Sequence, residues 1–445
     1  MQSDKLLTGF VKFLKTRIPE KKVLLLGFGK EGQSTFSFFV KYLPAFKFSI
    51  ADANPSLVGH PLLGNFDKNS LFLGDNYQSC LNEFDFIIKS PGVNIKNSWK
   101  VESKLTSQTN LFLRYFKDII IGVTGTKGKS TTSSLIHHIL TKAGINSVLL
   151  GNIGLPSFDM IALLKEDSLV VFELSAHQLE FVNVSPRIAV LLNIFPEHLD
   201  YFHDIISYSH AKENIFKFQS EDDTIVVHEI LSPLLRDLPS QIKYFGPDKP
   251  KMKRGQIKAL TNSSIALPGK HNLLNIKVAL MVVEQFGVGF DIAIQYLSDF
   301  KTLPHRLEYV GNFQGIDFYN DSISTVPEST IAAVETLENV DTLILGGFDR
   351  GLDYSKLVNF LSDSTISNYF FLGKAGESMK MKFDQMNLKD IRLIQISTLE
   401  EAFKIIPKIT AQERICLLSP AAASYDQYHN FEHRGDTFKL FANNL

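Results

Sequence analysis

Short apolar runs and helical stripes alternate along almost the whole chain. VLLLG, FKFSIAD, FDFIIKS, DIIIGV, NSVLLG, LVVFE, IAVLL, DTLILGG, NYFFLG, IRLIQIS and ICLLSP are bounded by Gly, Pro, Asn, Asp or Ser. Such runs predict buried strands, and the stretches between them carry apolar residues at helical spacing. Strand and helix in alternation predict parallel sheets, hence an α/β fold. The chain starts with a helix instead, because Leu6, Leu7, Phe10, Phe13 and Leu14 recur at three- and four-residue spacing. Asp4, Lys5, Lys12 and Lys15 interrupt that stretch, so it reads as a packed amphipathic helix and not as a signal-peptide core.

The ends of these runs hold the candidate chemistry. Ile120 to Thr132 reads IIGVTGTKGKSTT: a strand, a loop Gly125-Thr126-Lys127-Gly128, then Lys129, Ser130 and Thr131 opening a helix. Backbone N–H groups of such a loop cradle a polyphosphate, the lysine reaches its outer phosphates, and the serine hydroxyl meets Mg²⁺. Val123 stands where the strict G-x-x-x-x-G-K-[ST] pattern places its first glycine. Upstream, Gly27-x-Gly29-x-x-Gly32 follows a strand and Asp52 ends the next, the dinucleotide fingerprint with its ribose acid. An NAD-dependent oxidoreductase is the reading those residues allow alone, but it leaves the Lys129 loop unexplained. Ser90 and Gly92 lie after the next strand, and Gly151 to Gly154 after a later one. Glu173 ends LVVFE and Ser175 lies two residues on, with Glu173 the first candidate to hold Mg²⁺. His198 follows IAVLL. His271, Asn272 and Asn275 fall in the first turn of a helix, where they can face a ligand or cap.

Composition narrows the class. With 445 residues, two to four domains are expected. A formal net charge of −1 argues against bulk electrostatic binding of nucleic acid. Cys80 and Cys416 cannot build a disulfide framework, and no apolar run reaches membrane-spanning length, so a cytoplasmic protein is expected.

Taken in order, the motifs resemble the Mur ligases of peptidoglycan synthesis, in particular their glutamate-adding (MurD-type) branch. The resemblance covers nearly the whole chain. It rests on GTKGKST, GNIG, ELSxxQLE, EHLD, the lysine of AKENIF, PGKHNLLN, HRLE, NDS, LGGFDRG and LSPAAASYDQYHNFEHRGDTF. It implies a UDP-substrate domain over 1–115, a P-loop ATPase domain over 116–302 and a Rossmann-like glutamate-binding domain over 303–445, acting as a monomer. The implied reaction uses ATP to phosphorylate the alanyl carboxylate of UDP-N-acetylmuramoyl-L-alanine, after which glutamate attacks the acyl phosphate. It also implies two Mg²⁺ ions, with Ser130 and Glu173 on one and His198 on the other. Lys212 is expected as a carbamate made from CO₂. His271, Asn272, Asn275, Arg306 and Asp321 match ATP contacts. Gly29, Asp52, Ser90, Gly92, Asn152 and Ser175 match contacts to the UDP-sugar substrate. Hinges are expected near 115 and 302.

The glutamate side departs from the pattern. D-Glutamate enzymes usually read NDSKATN where residues 320–326 read NDSISTV, so Ile323 replaces a lysine. Arg350 replaces a second lysine, and Tyr425 a smaller apolar residue, while Thr325, Ser424 and Phe431 are retained. Arginine grips a carboxylate as a planar fork and lysine as a point charge. D-Glutamate is the substrate by default, with L-glutamate the alternative these substitutions suggest.

Overall fold

The computed structural model describes residues 3–18, 21–95, 100–151, 155–249, 270–298, 300, 304–337, 339–386, 388 and 390–445. Contacts divide the chain into two compact units, residues 1–263 with 273–298, and residues 264–272 with 299–445. Among the described residues there are three sheets.

The first unit holds two all-parallel sheets. In the first, β1 (Val23–Leu26), β2 (Phe48–Asp52), β3 (Leu71–Leu73), β4 (Phe86–Lys89) and β5 (Leu105–Thr106) are ordered β3-β2-β1-β4-β5. In the second, β6 (Ile120–Thr124), β7 (Ser147–Gly151), β8 (Leu169–Glu173), β9 (Ile188–Leu191), β10 (Thr224–His228) and β11 (Gln241–Phe245) are ordered β11-β10-β9-β6-β8-β7. The chain reverses its winding beside β1 and beside β6. The loops leaving the carboxyl ends of β1 and β6 therefore open into crevices, the place where open α/β sheets take ligands.

Helices α1 (Ser3–Arg17), α2 (Lys30–Tyr42), α3 (Gln108–Phe116), α4 (Lys129–Lys142) and α5 (Ser157–Met160) cover these sheets. The stripe expected at the start of the chain is the buried face of α1, with Phe10 and Leu14 fully enclosed. Phe10 meets Phe38 of α2 at 5.7 Å, Phe116 of α3 at 5.5 Å and Phe158 of α5 at 5.2 Å between ring centroids. Phe112 stands edge-on to Phe172 of β8 at 5.7 Å. Each such ring contributes roughly 1.5–3 kcal/mol by burial, so one apolar core runs through both sheets. Tyr115, at a position expected as a hinge, packs against this core, and 302 lies outside the described residues.

The second unit has β12 (Glu308–Phe313), β13 (Ile316–Asn320), β14 (Val340–Gly346), β15 (Asn368–Leu372), β16 (Arg392–Ile396) and β17 (Ile415–Leu418), ordered β12-β13-β17-β14-β15-β16. The sheet is parallel as expected except at β12, which pairs antiparallel with β13. Gln314 and Gly315 both take positive φ there, the backbone of a two-residue hairpin turn. The carboxyl ends of β13, β17 and β14 are neighbours, which gathers NDS, the segment after Ser419 and LGGFDRG at one edge.

Candidate active site

The loop between β6 and α4 has the form a phosphate cradle requires. Gly125 and Gly128 have φ of 158° and 87°, and a Cβ at Gly128 would stand 2.6 Å from Asn275 Oδ1. Only glycine fits that left-handed, crowded position. Val123 is simply a buried strand residue, so the departure from the strict motif leaves the loop intact. Asn193, just past β9, fixes the loop: its Oδ1 accepts from the N–H groups of Thr126 at 3.0 Å and Lys127 at 2.8 Å. Lys129 Nζ donates to the Gly125 and Thr126 carbonyls, both at 2.9 Å. Ser130 is buried in the first turn of α4, and Thr131 beside it is half-buried.

Behind the loop lies Lys212, on α8 (Ile205–Glu213) and only 1% exposed. Its Nζ donates to Gly125 O at 2.8 Å and sits 4.8 Å from the centre of the Tyr208 ring. Burial, then Lys129, holds its pKa well below the ordinary lysine value, against the pull of Glu197 and Glu173. Glu173, at the end of β8, is equally enclosed. Tyr208 shares a 3.2 Å hydrogen bond with the Thr126 hydroxyl, joining α8 to the loop. Burial tends to raise the Glu197 carboxyl, but Lys127 at 2.8 Å, Lys129 and His198 together keep it below its ordinary value. His198 has φ 56°, and its half-exposed ring lies 4.9 Å from that of His177. Among the described residues no three His, Cys, Asp or Glu side chains converge as a metal site. The expected donors are of a different make-up: one carboxylate, one imidazole, one hydroxyl and a modified lysine.

The first sheet brings its expected residues to one edge. Asp52 accepts from the backbone N–H of Phe28 at 2.6 Å and of Asn54 at 2.8 Å. Ser90 Oγ donates to Gly27 O at 2.8 Å, and Gly29 and Gly92 are exposed beside them. Gly32 packs α2 onto this turn, since a Cβ there would meet Gly27 O at 2.1 Å. Ser175 is occupied in a capping box with Gln178, ahead of the short helix α6 (Ala176–Leu179). Asn275 faces Gly128 from α9 (Lys270–Val283), and Asn272 is buried in that helix's first turn. Asn152 and the His271 side chain lie outside the described residues.

In the second unit, Asp321 is buried and accepts from Leu307 N and Ser419 Oγ. Burial pushes its carboxyl up to about 6, although Ser324, Ser419, Leu307 and Arg306 all oppose that rise. Among the described residues of this unit the most enclosed cation is Arg434, on α10 (Phe431–Asn443) and 0% exposed. It donates to Ser322 Oγ and O, Ala422 O, Ala423 O and Gly346 O, tying NDS, PAAAS and LGG together. Arg350 reaches Thr325 O at 2.7 Å, and Ser322 Oγ donates to Phe431 O at 2.8 Å. Ser424 is buried, while Tyr425 is 69% exposed and stands against Phe348. Asn193, Tyr208 and Arg434 escape the sequence reading. Their signals are weak: a polar residue ending an apolar strand, a tyrosine one turn before Lys212, and an arginine inside HRGD.

The Mur ligase middle domain family matches residues 123–283, the stretch holding the phosphate loop, Glu173, His198 and Lys212. The chain is 32% identical to the UDP-N-acetylmuramoylalanine–D-glutamate ligase of Clostridium kluyveri over 458 residues, covering 98% of both proteins. It is 32% identical to the protein of that name from Clostridium botulinum strain 657, covering 98% of this chain and 100% of the relative. Its fold is similar to that of the UDP-N-acetylmuramate–alanine ligase MurC from Thermotoga maritima, with a TM-score of 0.57 at 16% identity over 96% of this chain and 100% of that one. It is also similar to the MurF ligase of Thermotoga maritima solved with ADP, with a TM-score of 0.54 at 17% identity over 83% of this chain and 92% of that one. The chain belongs to the Mur ligase family, the ATP-dependent, ADP-forming ligases of peptidoglycan synthesis.

Proposed function

We propose that this ligase joins glutamate to UDP-N-acetylmuramoyl-L-alanine in the cytoplasm, acting as a monomer. The observation that carries the reading is the phosphate loop with Lys129 in front and buried Lys212 and Glu173 behind, in a chain matched end to end by glutamate ligases. The γ-phosphoryl group passes from ATP to the alanyl carboxylate, breaking its bond to ADP. Glutamate's amine then attacks the acyl carbon, loses a proton, and phosphate leaves. Two anions meet in the first step, so Lys129 neutralises the transferred group and the Gly125–Thr131 backbone cradles its neighbours. Ser130 and Glu173 would hold one Mg²⁺, and His198 with a carbamate on Lys212 a second, and the ions would supply further charge neutralisation. The depressed pKa of Lys212 fits that modification, because the neutral amine is the form that takes up CO₂. His271, Asn272, Asn275, Arg306 and Asp321 serve ATP, while Gly29, Asp52, Ser90, Gly92, Asn152 and Ser175 serve the UDP substrate.

The relatives' names favour D-glutamate. One feature favours L-glutamate: Ile323 removes a cation from the pocket and Arg350, anchored on Thr325 O, provides a fork at the strand edge with Ser424, Tyr425 and Phe431. Ligation assays with each enantiomer separately, monitored by ADP release, decide between them. Turnover with D-glutamate alone removes the L-glutamate reading, and turnover with neither removes the glutamate ligase itself.

A further inference from the structure

A second buried polar cluster lies beside the first-sheet loop, and the ligation chemistry leaves it unused. Glu31 occupies the first turn of α2, immediately after the Gly27–Gly29 turn. Its carboxylate turns inward. Oε1 accepts from Gln178 Nε2 at 2.7 Å, and Oε2 is buried without a hydrogen-bond partner. Gln178 Oε1 in turn accepts from Ser175 N at 3.0 Å, two residues beyond Glu173. Facing Glu31 from β4 is Lys89, 3% exposed and paired with Glu180 at 3.2 Å. The Tyr201 hydroxyl, from α7 (Leu199–Phe202), donates to the same Glu180 oxygen at 2.8 Å. Asp159 accepts from Ser34 one turn along α2.

We propose that Glu31 is a positioning residue that ties the first-sheet glycine loop to the Glu173 strand end and makes binding of the UDP substrate proton-linked. The proposal rests on the function given above, with the substrate's diphosphate at the loop opening α2. Two acidic groups share the single ammonium of Lys89, so Glu31 is not fully compensated when ionised. Burial drives its carboxyl up to about 7 despite Gln178 and Lys89, while burial lowers Lys89 against the pull of Glu180 and Glu31. A diphosphate added at the loop repels an ionised Glu31 across a poorly screened gap. Binding therefore draws a proton onto Glu31, and affinity falls as pH rises through the free protein's value. The Gln178 contact carries the loop's position to Ser175 and so to the residue that ends β8.

Calorimetric titration of the full chain with UDP-N-acetylmuramoyl-L-alanine at several pH values tests the proton link. The dissociation constant is expected to rise roughly tenfold between about pH 6 and pH 8. In Glu31→Gln, which keeps the acceptor for Gln178 but cannot ionise, it stays at the low-pH value throughout. Glu31→Ala removes the tie as well, so its kcat falls several-fold while that of Glu31→Gln does not. A wild-type affinity that is flat in pH, a Glu31→Gln slope equal to that of wild type, or an unchanged kcat in Glu31→Ala overturns the proposal. Absence of any UDP-substrate binding at every pH instead overturns the function it rests on.

Discussion

In the first unit Lys212 gives its buried ammonium to one carbonyl, Gly125 O. In the second, Arg434 spreads a buried guanidinium over the carbonyls of Ser322, Gly346, Ala422 and Ala423 and the Ser322 hydroxyl. Burial lowers the pKa of both, that of Arg434 to about 10. The consequences differ because the groups differ. Arginine remains charged and its fixed fork bonds several acceptors at once, so it holds three loops in one arrangement. Lysine can become neutral, and a neutral buried amine is reactive. One cation is thus suited to chemistry beside the phosphate loop, the other to shaping a pocket.

Exchanging the two cations breaks this contrast most sharply. Lys212→Arg keeps a positive charge but cannot become neutral or take up CO₂. It is expected to lower kcat about 10³-fold, or about 4 kcal/mol in barrier, by ADP release. Mass spectrometry of the intact wild-type chain under CO₂-rich conditions, showing one added CO₂ that Lys212→Arg lacks, checks the cause. The reverse exchange, Arg434→Lys, leaves buried carbonyls unmatched. It is expected to cost about 3–4 kcal/mol in denaturant unfolding and to raise KM for glutamate more than for ATP.

Asp321 sharpens the comparison from the acidic side. Its folded value, about 6, lies above the ordinary carboxylate value, so the folded state holds the proton more tightly than the unfolded one. Its contribution to stability is present below about pH 4 and is lost as pH rises through about 6. Asp321→Asn is expected to flatten the stability profile over that window by about 2–3 kcal/mol, measured by urea unfolding at each pH. The smallest effect is expected at the rim. Ile323→Lys together with Arg350→Lys should shift the ratio of kcat/KM for D- over L-glutamate about tenfold towards D, roughly 1.4 kcal/mol.

The contrast also explains what was legible in the sequence. Parallel sheets put candidate ligand-facing residues just past apolar strands, so Glu173, Ser90 and Asp321 became candidates by position, and Lys129 by the glycine loop before it. The fold class followed from the same alternation. Depth and long-range partners left no comparable mark. Tyr208 meets Thr126 across 82 positions and Arg434 meets Ser322 across 112, and neither has a local pattern. Ser175 also closes a capping box with Gln178, a role that its reading as a substrate contact left out. β12 and β13 are joined by the two-residue Gln314-Gly315 turn, which allows only an antiparallel return, and they pair that way.

Whether the carboxylate is activated by phosphorylation can be read from one isotope experiment. UDP-N-acetylmuramoyl-L-alanine labelled with ¹⁸O in its alanyl carboxylate is turned over with ATP and glutamate, and the released phosphate is analysed by mass. An acyl phosphate requires one carboxylate oxygen to leave with the phosphorus, so labelled phosphate in step with product is the predicted result. Unlabelled phosphate accompanying full product formation contradicts it.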